Sequence, residues 1–192
     1  MTTASTPKGE RRKHALVAAA AALLVEGGFE AVRHRAVAER ASVPLASTTY
    51  YFESLDKLIA AALEFHGRSE LARGRQTLAS TEPGGRPELV ELVLDLLLGP
   101  LVGERDAEAV LLRYERLVAT GRRSYLRPLM LELGGELRTL LSAAFARGGT
   151  PVDSCRLEQL IALVDGAVVN ALIEVNPDPR AAARRMLGDA LS

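Results

Sequence analysis

The sequence is short of three features that define other protein classes: cysteine, net charge and long apolar runs. Its single cysteine among 192 residues, Cys155, excludes an internal disulfide and a cysteine metal cluster, and fits a reducing cytoplasm. The 24 basic residues balance the 24 acidic residues, so the overall charge indicates no polyanionic partner. The longest wholly apolar run, Ala15 to Val25, is shorter than the roughly 20 residues that a membrane span requires. Basic residues precede that run, as in a signal peptide, but no small-x-small cleavage site follows it. We therefore expect a cytoplasmic protein without a membrane segment.

Catalytic and metal-binding patterns are also missing from the sequence. Its histidines, His14, His34 and His66, are too scattered for a metal site. The sequence contains no nucleophile with a base and an orienting group, and no glycine-rich phosphate loop. It therefore predicts no metal, no cofactor and no enzymatic activity, and a small all-helical enzyme is the least favoured alternative.

The sequence does contain helical periodicity, and no alternating strand pattern is visible. A long helix is expected from Ser54 to Ser80, and the proline- and glycine-rich residues 81–87 end it. Further helices are then expected at Glu88–Val102, Arg105–Thr120, Ser124–Arg147, Asp153–Val175 and Pro179–Leu191. The periodicity therefore predicts an all-α fold.

Residues 33–52 have the pattern of two short helices joined by a tight turn. Val37, Ala38 and Ala41 share one helical face, where small alanines let a second helix cross closely. Val43 fills the turn, and Pro44 suits the first position of a helix, so we expect the second helix to begin at Pro44. This pattern is typical of a helix-turn-helix, which places its second helix in the major groove of DNA.

The outward side chains of the second helix are small, hydroxylated or aromatic. The hydroxyls of Ser47 and Thr49 can form hydrogen bonds with base edges. Leu45 and Ala46 can contact thymine methyl groups, and the phenols of Tyr50 and Tyr51 can reach phosphates. Arg35, early in the first helix, is a fork-shaped donor that can take guanine N7 and O6 together. The basic residues from Lys8 to Lys13 either follow a phosphate backbone or form a solvated, frayed terminus.

In combination, these residues resemble the TetR-type bacterial repressors. The matching positions are Ala38, Ala41, Val43, Tyr50, Phe52 and Leu58, preceded by Gly27-Gly28-Phe29 at the end of the first helix. The resemblance covers residues 11 to 63. It implies an N-terminal three-helix helix-turn-helix DNA-binding domain joined to a C-terminal helical ligand-binding and dimerisation domain. It also implies DNA contacts from His34, Arg35, Leu45, Ala46, Ser47, Thr49, Tyr50 and Tyr51.

The sequence departs from the pattern of this family at several positions. Arg33 stands where a capping Thr is usual, and a missing cap costs about 1 kcal/mol. Ser42 replaces the turn glycine, and Thr49 and Tyr51 replace a Tyr and a His. A leucine stands where a phosphate-binding Lys is common, which makes Lys57 the candidate for that contact.

The helix that begins at Asp153 has two faces that are poor in charge, which predicts burial on two sides. Because the family packs its last two helices against a twofold copy, the resemblance implies a homodimer. The expected interface residues are Leu157, Ile161, Val164, Asp165, Val168, Val169 and Leu172. Asp165 and Asn170 either lie near the dimer interface or form hydrogen bonds within one subunit.

The resemblance also implies a ligand cavity among the middle helices, although packing in the core is the alternative for every candidate residue. The candidates are Phe65, His66, Leu92, Leu96, Leu111, Tyr114, Met130 and Leu133. Tyr114 is the best polar group among them, because a buried hydroxyl needs a partner. Glu88, Glu91 and Asp95 share one helical face, which we interpret as solvated.

Taken together, the patterns predict a homodimeric, cytoplasmic, ligand-responsive regulator that binds a near-palindromic operator in double-stranded DNA. It is expected to be a repressor that a small-molecule effector releases. The alternative is a helical protein-interaction adaptor that has lost DNA binding. The expected domains are a flexible N-terminal arm (1–10), the helix-turn-helix domain (11–53) and the effector-binding and dimerisation domain (54–192).

Overall fold

The computed structural model describes residues 7–81, 84–101 and 106–192, and the regular secondary structure among these residues is helical, with no strand. The α-helices are α1 (Pro7–Ala31), α2 (His34–Arg40), α3 (Ala46–Tyr51), α4 (Leu55–Ser80), α5 (Arg86–Leu98), α6 (Asp106–Gly121), α7 (Arg127–Arg147), α8 (Ser154–Ile173) and α9 (Pro179–Ala190). A short 3-10 helix, Ser124–Leu126, precedes α7. The all-α prediction is confirmed.

The chain forms two compact units. The first contains the residues up to Arg68 together with Glu115–Leu129, and the second contains Ser69–Tyr114 and Met130–Ser192. Helices α4, α6 and α7 therefore contribute residues to both units. The division falls inside α4, whereas the sequence placed a functional boundary after residue 53, and that functional boundary stays a prediction.

The first unit is built around α1. Leu16, Ala20 and Leu24 repeat at four-residue spacing and are fully buried, so one face of α1 forms the core. Glu26 of α1 accepts two hydrogen bonds from Arg40, at 2.9 and 2.6 Å, which ties α1 to α2. By length and composition α1 could cross a membrane, but a core helix of this kind passes the same test.

The second unit packs α9 against both α8 and α5. Arg180 of α9 is 1% exposed, and it donates to Asp95 at 3.0 Å and to the carbonyl of Gly99. The first turn of α8 is capped by Asp153, whose carboxylate accepts the backbone N–H of Arg156 at 2.7 Å. Asp178 caps α9 in the same way.

Several expected helix ends differ in the structure. Helix α1 already begins at Pro7, so residues 7–10 are helical rather than a flexible arm, and the rest of that expected arm lies outside the described residues. Helix α5 ends at Leu98 and not at Val102, because Gly99 adopts φ 86° and breaks the helix. Helix α8 ends at Ile173, and Val175 follows in a left-handed conformation with φ 55°.

Candidate nucleic-acid interface and cavity

The turn between α2 and α3 is closed by backbone hydrogen bonds that end α2. The N–H of Ser42 donates to Glu39 at 3.1 Å, and the N–H of Val43 donates to Ala38 at 3.0 Å. This is a Schellman motif, and Ser42 occupies its left-handed position with φ 54°. The residue that replaces the usual glycine therefore carries the backbone conformation for which glycine is favoured.

One face of α3 anchors the helix in the first unit. Thr48 is fully buried, and its hydroxyl donates to the carbonyl of Leu45 at 2.8 Å. Phe52, which follows the helix, is 6% exposed. Helix α3 starts at Ala46 and not at Pro44, because the carbonyls of Pro44 and Leu45 first accept bonds from residues three positions on. Thr48 was not singled out from the sequence, and its burial is what holds the opposite face outward.

The opposite face of α3 carries the predicted contact residues. Leu45 is 52% exposed and Tyr50 is 81% exposed, and Ala46 and Thr49 are exposed as well. Ser47 and Tyr51 are half-buried, and the rings of Tyr50 and Tyr51 meet edge to face with centroids 4.9 Å apart. Because α3 is only six residues long, these side chains form one small surface.

The start of α2 carries the other predicted contacts. The side chain of Arg35 is 85% exposed and pairs with Glu39 at 3.0 Å. His34 is half-buried, and its Nδ1 is a buried atom without a hydrogen-bond partner among the described residues. Arg33 occupies the N-cap position and forms no side-chain cap, as the sequence predicts. Lys57 lies exposed on α4, where its N–H donates to the hydroxyl of Ser54 at 3.2 Å.

Basic side chains also lie exposed along the first turns of α1. They are Lys8, Arg11, Arg12 and Lys13. They belong to the first turns of helix α1 and add positive charge to its surface.

The predicted ligand residues are divided between the two units. Phe65 and His66 belong to the first unit, where the ring of Phe65 lies 5.4 Å from that of His14. In the second unit Leu92, Leu96 and Leu133 are each 8% exposed and belong to the core, and Met130 is half-buried. The expectation for Leu111 is wrong. It is 41% exposed, because α6 buries the face that carries Val110 and Tyr114.

Tyr114 has the buried partner that its hydroxyl requires. It is 9% exposed and donates to the carboxylate of Asp165 at 2.7 Å. Burial raises the pKa of Tyr114, and the hydrogen bond to Asp165 raises it further. Nearby, Arg113 pairs with Glu70 at 2.6 Å, while the Nε of Arg113 is buried without a partner among the described residues.

A cavity of about 500 Å³ lies in the second unit, between the end of α4, the start of α5 and α9. Its lining residues are Thr77, Thr81, Arg86, Pro87, Glu88, Val90, Glu91, Leu92, Asp95, Arg184 and Gly188. Of the residues predicted for a ligand, only Leu92 is among them. Glu88, Glu91 and Asp95, which we interpreted as a solvated face, therefore line a concave site. Their helical spacing indicates that they share one face of α5, but nothing in the sequence places α9 opposite that face.

The carboxylates of this cavity have different electrostatic surroundings. Hydrogen bonds from Arg184 hold the pKa of Glu91 below its usual range. Burial raises the pKa of Asp95, and the charge and hydrogen bond of Arg180 oppose that shift only in part. The cavity thus combines apolar walls with carboxylates and with the guanidinium groups of Arg86 and Arg184.

The structure corrects part of the predicted dimer interface. Leu157, Val164 and Val168 are at most 4% exposed and pack inside their own unit, so they offer no surface to a partner. Asp165 accepts a hydrogen bond from Tyr114 of the same subunit. Ile161 and Leu172 are half-buried. Along the second half of α8 the outer face is instead formed by exposed residues, namely Ala162, Gly166, Val169, Asn170 and Ile173.

The chain is similar to known regulators in both parts of its sequence. Residues 16–62 match the profile described as bacterial regulatory proteins, tetR family, and residues 84–192 match the tetracyclin repressor-like C-terminal domain. A curated relative, the HTH-type transcriptional repressor KstR of Rhodococcus jostii (strain RHA1), is 39% identical over 91 residues. That match covers 47% of this chain and 40% of KstR, so the chain aligns with less than half of that relative.

Solved structures resemble nearly the whole chain. The multidrug binding protein EbrR complexed with ethidium has a TM-score of 0.68 and 30% identity, over 93% of this chain and 97% of EbrR. The EbrR complex with proflavin has a TM-score of 0.66 and 31% identity, over 93% of this chain and 99% of EbrR. A member of the TetR family from Streptomyces coelicolor A3, SCO1917, has a TM-score of 0.62 and 29% identity, over 94% and 98% of the two chains.

Proposed function

The chain belongs to the TetR family of bacterial regulatory proteins, and from that premise we propose that it is a ligand-responsive DNA-binding repressor of transcription. The observation that carries the proposal is the exposed face of α3, held outward by buried Thr48 at the end of a closed helix-turn-helix. The family consists of transcriptional regulators, and we propose that this member works in the cytoplasm without catalysis.

The proposed DNA surface consists of residues of α3, of the start of α2 and of the start of α4, all within the first unit. Its residues are His34, Arg35, Leu45, Ala46, Ser47, Thr49, Tyr50, Tyr51 and Lys57. All of these residues except Lys57 belong to the expected domain at 11–53. The base-contacting part is the exposed face of α3, and the phenols and Lys57 reach phosphates. The exposed basic turns of α1 add attraction for the backbone, so binding should weaken steeply as salt rises.

The proposed active form is a homodimer, because two recognition helices about 34 Å apart match a near-palindromic operator. The outer face of α8 supports this proposal. Val169 is 39% exposed and Ile173 is 74% exposed, and the small residues Ala162 and Gly166 lie on the same face. Met186 of α9, 44% exposed, adds apolar surface. Such a face is suited to close helix packing against a second copy.

A charge on the outer face of α8 tests the dimer. A Cβ built at Gly166 meets nothing within 4 Å in the chain, so Gly166→Glu is tolerated by the single subunit. We expect it to give a folded monomer in sedimentation experiments, with operator affinity reduced. Gly135→Glu is the matched control, because Gly135 also has open space around it. A dimer that survives Gly166→Glu unchanged would place the interface elsewhere.

The proposed effector site is the cavity between α4, α5 and α9, whose volume of about 500 Å³ suits a drug-sized molecule. The EbrR structures contain the flat cations ethidium and proflavin. Glu91 and Asp95 are paired with Arg184 and Arg180, so Glu88 is the carboxylate that we propose to meet a bound positive charge, beside the apolar walls, with an apolar cation as the effector class. Binding would act by population shift, favouring a dimer whose recognition helices no longer match the operator spacing.

The test begins with selection of an operator from random DNA fragments by the purified full chain. Operator binding is then measured with and without ethidium or proflavin, and a duplex without protein corrects for dye that binds DNA directly. Dye binding to the protein alone is measured by calorimetry. Glu88→Gln should weaken it by about 2–5-fold, whereas Glu108→Gln, an exposed change on α6, should not. Equal operator affinity with and without every candidate effector would contradict the proposed response.

The adaptor alternative predicts a different result. Replacing Arg35 and Tyr50 by Ala should abolish regulation by a DNA-binding repressor, because both side chains lie exposed on the proposed DNA surface. An adaptor would keep its activity after both replacements.

A further inference from the structure

The recognition helix has an unusual chemical composition for a reader of bases. From Pro44 to Phe52 it contains no Lys, Arg, Asn, Gln, Asp or Glu. Those are the side chains that make bidentate hydrogen bonds to guanine and adenine or accept from cytosine. Helix α3 therefore has no group that reads a base pair by paired hydrogen bonds.

Its threonine hydroxyls are already engaged. The hydroxyl of Thr48 is buried and donates to Leu45, and the hydroxyl of exposed Thr49 donates to the carbonyl of Ala46 at 3.2 Å. Both hydroxyls thus donate to nearby backbone carbonyls rather than outward. At the start of α3, Ser47 is half-buried and carries one further hydroxyl, and the exposed side chains are apolar: Leu45, which is 52% exposed, and the methyl group of Ala46.

The major groove offers one apolar recognition group, the C5-methyl of thymine. We propose that α3 reads its operator mainly through thymine methyl groups, which contact Leu45, Ala46 and the methyl group of Thr49. This inference rests on the proposed function and specifies the partner: each operator half-site carries thymines at the positions that face the start of α3.

Arg35 is the neighbouring group with a different preference. Its pairing with Glu39 is a surface ion pair between side chains that are 85% and 67% exposed, so it is easily exchanged for a base contact. A guanine read by Arg35 would therefore flank the thymines. Since Arg35 lies on α2, its contribution can be separated from that of α3 by mutation.

The test uses the operator selected by the full chain. Each thymine of one half-site is replaced in turn by deoxyuridine, which removes only the C5-methyl group, and affinity is measured by fluorescence anisotropy at fixed salt. At the positions facing α3 we expect each replacement to weaken binding by about 3–10-fold, as burial of one methyl group implies. Where a thymine is instead changed to cytosine, 5-methylcytosine should recover part of the lost affinity.

Protein variants assign the effect to α3. Leu45→Ala should reduce the ratio of thymine to uridine affinity at one position, and Arg35→Ala should leave that ratio unchanged. Leu131→Ala is the matched control, because Leu131 is a 66% exposed leucine on α7. Each ratio is measured within one variant, so a general loss of affinity does not affect it.

The outcomes separate the two proposals. If the protein selects a specific operator but no uridine replacement changes its affinity, thymine-methyl reading is wrong and the DNA-binding function stands. If no sequence is enriched and binding to all duplexes is equally weak, the proposed function itself fails.

Discussion

Replacing Val175 by glycine should stabilise the protein, because this residue has a backbone conformation that disfavours its side chain. At the end of α8 the N–H of Val175 donates to Leu172 at 3.2 Å, and the N–H of Asn176 donates to Ala171 at 2.9 Å. This Schellman motif places Val175 at the left-handed position, with φ 55°. Helix α7 ends in the same hydrogen-bond pattern with Gly149 at that position, φ 73°.

The size of the effect follows from two opposing contributions. The left-handed conformation costs a residue with a Cβ about 1–2 kcal/mol. Glycine loses about 0.5–1 kcal/mol more backbone entropy on folding than other residues do. Because the side chain of Val175 is 87% exposed, almost no burial is lost. We therefore expect Val175→Gly to gain about 0.5–1 kcal/mol, which raises Tm by about 1–4 °C in a chain of this length.

Thermal unfolding of Val175→Gly, Val175→Ala and the unchanged protein measures this gain. Alanine keeps the Cβ, so Val175→Ala should recover little of it, and Gly149→Ala should destabilise. Melting at two protein concentrations separates a folding effect from a dimer effect, because only the latter depends on concentration. A Tm for Val175→Gly no higher than that of Val175→Ala would refute the assignment of strain to this backbone position.

Three further changes test other contacts. Ser42→Gly should stabilise the helix-turn-helix by about 0.5 kcal/mol for the same reason, seen as a higher Tm with unchanged operator affinity. Tyr114→Phe should cost about 1–3 kcal/mol in urea unfolding, because the carboxylate of Asp165 loses its buried donor. Because folding raises the pKa of Tyr114, its contribution to the free energy of unfolding is complete below pH about 10 and decreases as the pH rises further. The stability of Tyr114→Phe should therefore lack this decrease at alkaline pH. Arg180→Met should cost about 2–3 kcal/mol in urea unfolding, because it leaves Asp95 and the carbonyl of Gly99 without their buried donor, whereas Arg185→Met, an exposed change on the same helix, should be nearly neutral.

The helix-turn-helix could be predicted from sequence because its determinants are local. Helix periodicity, the small residues on one face and the turn lie within about twenty consecutive positions. Val37 and Ala38 are buried as the shared face predicts, and Arg33 forms no side-chain cap, as its lack of a hydroxyl predicts. The contact list on α3 agrees with the exposed face at Leu45 and Tyr50, and DNA contact itself stays a prediction.

The second unit was predicted less completely because its features depend on which helices meet. On α8 two apolar faces are visible in the sequence, but periodicity alone cannot say which one faces inward. Packing buries Leu157, Val164 and Val168 and leaves Val169 and Ile173 outside. Leu111 faces outward because α6 packs into the core through the face that carries Val110 and Tyr114, and periodicity did not identify that face.

The helices and the chemical character of the recognition helix could be read from the sequence, because they depend on residues within a few turns of one another. Contacts between distant elements were needed to establish that Thr48 anchors α3, that Asp165 accepts a hydrogen bond from Tyr114 and that α9 closes a cavity over the acidic face of α5. These depend on contacts between residues far apart in the chain, where the free energy of packing selects among faces that the local pattern leaves equivalent.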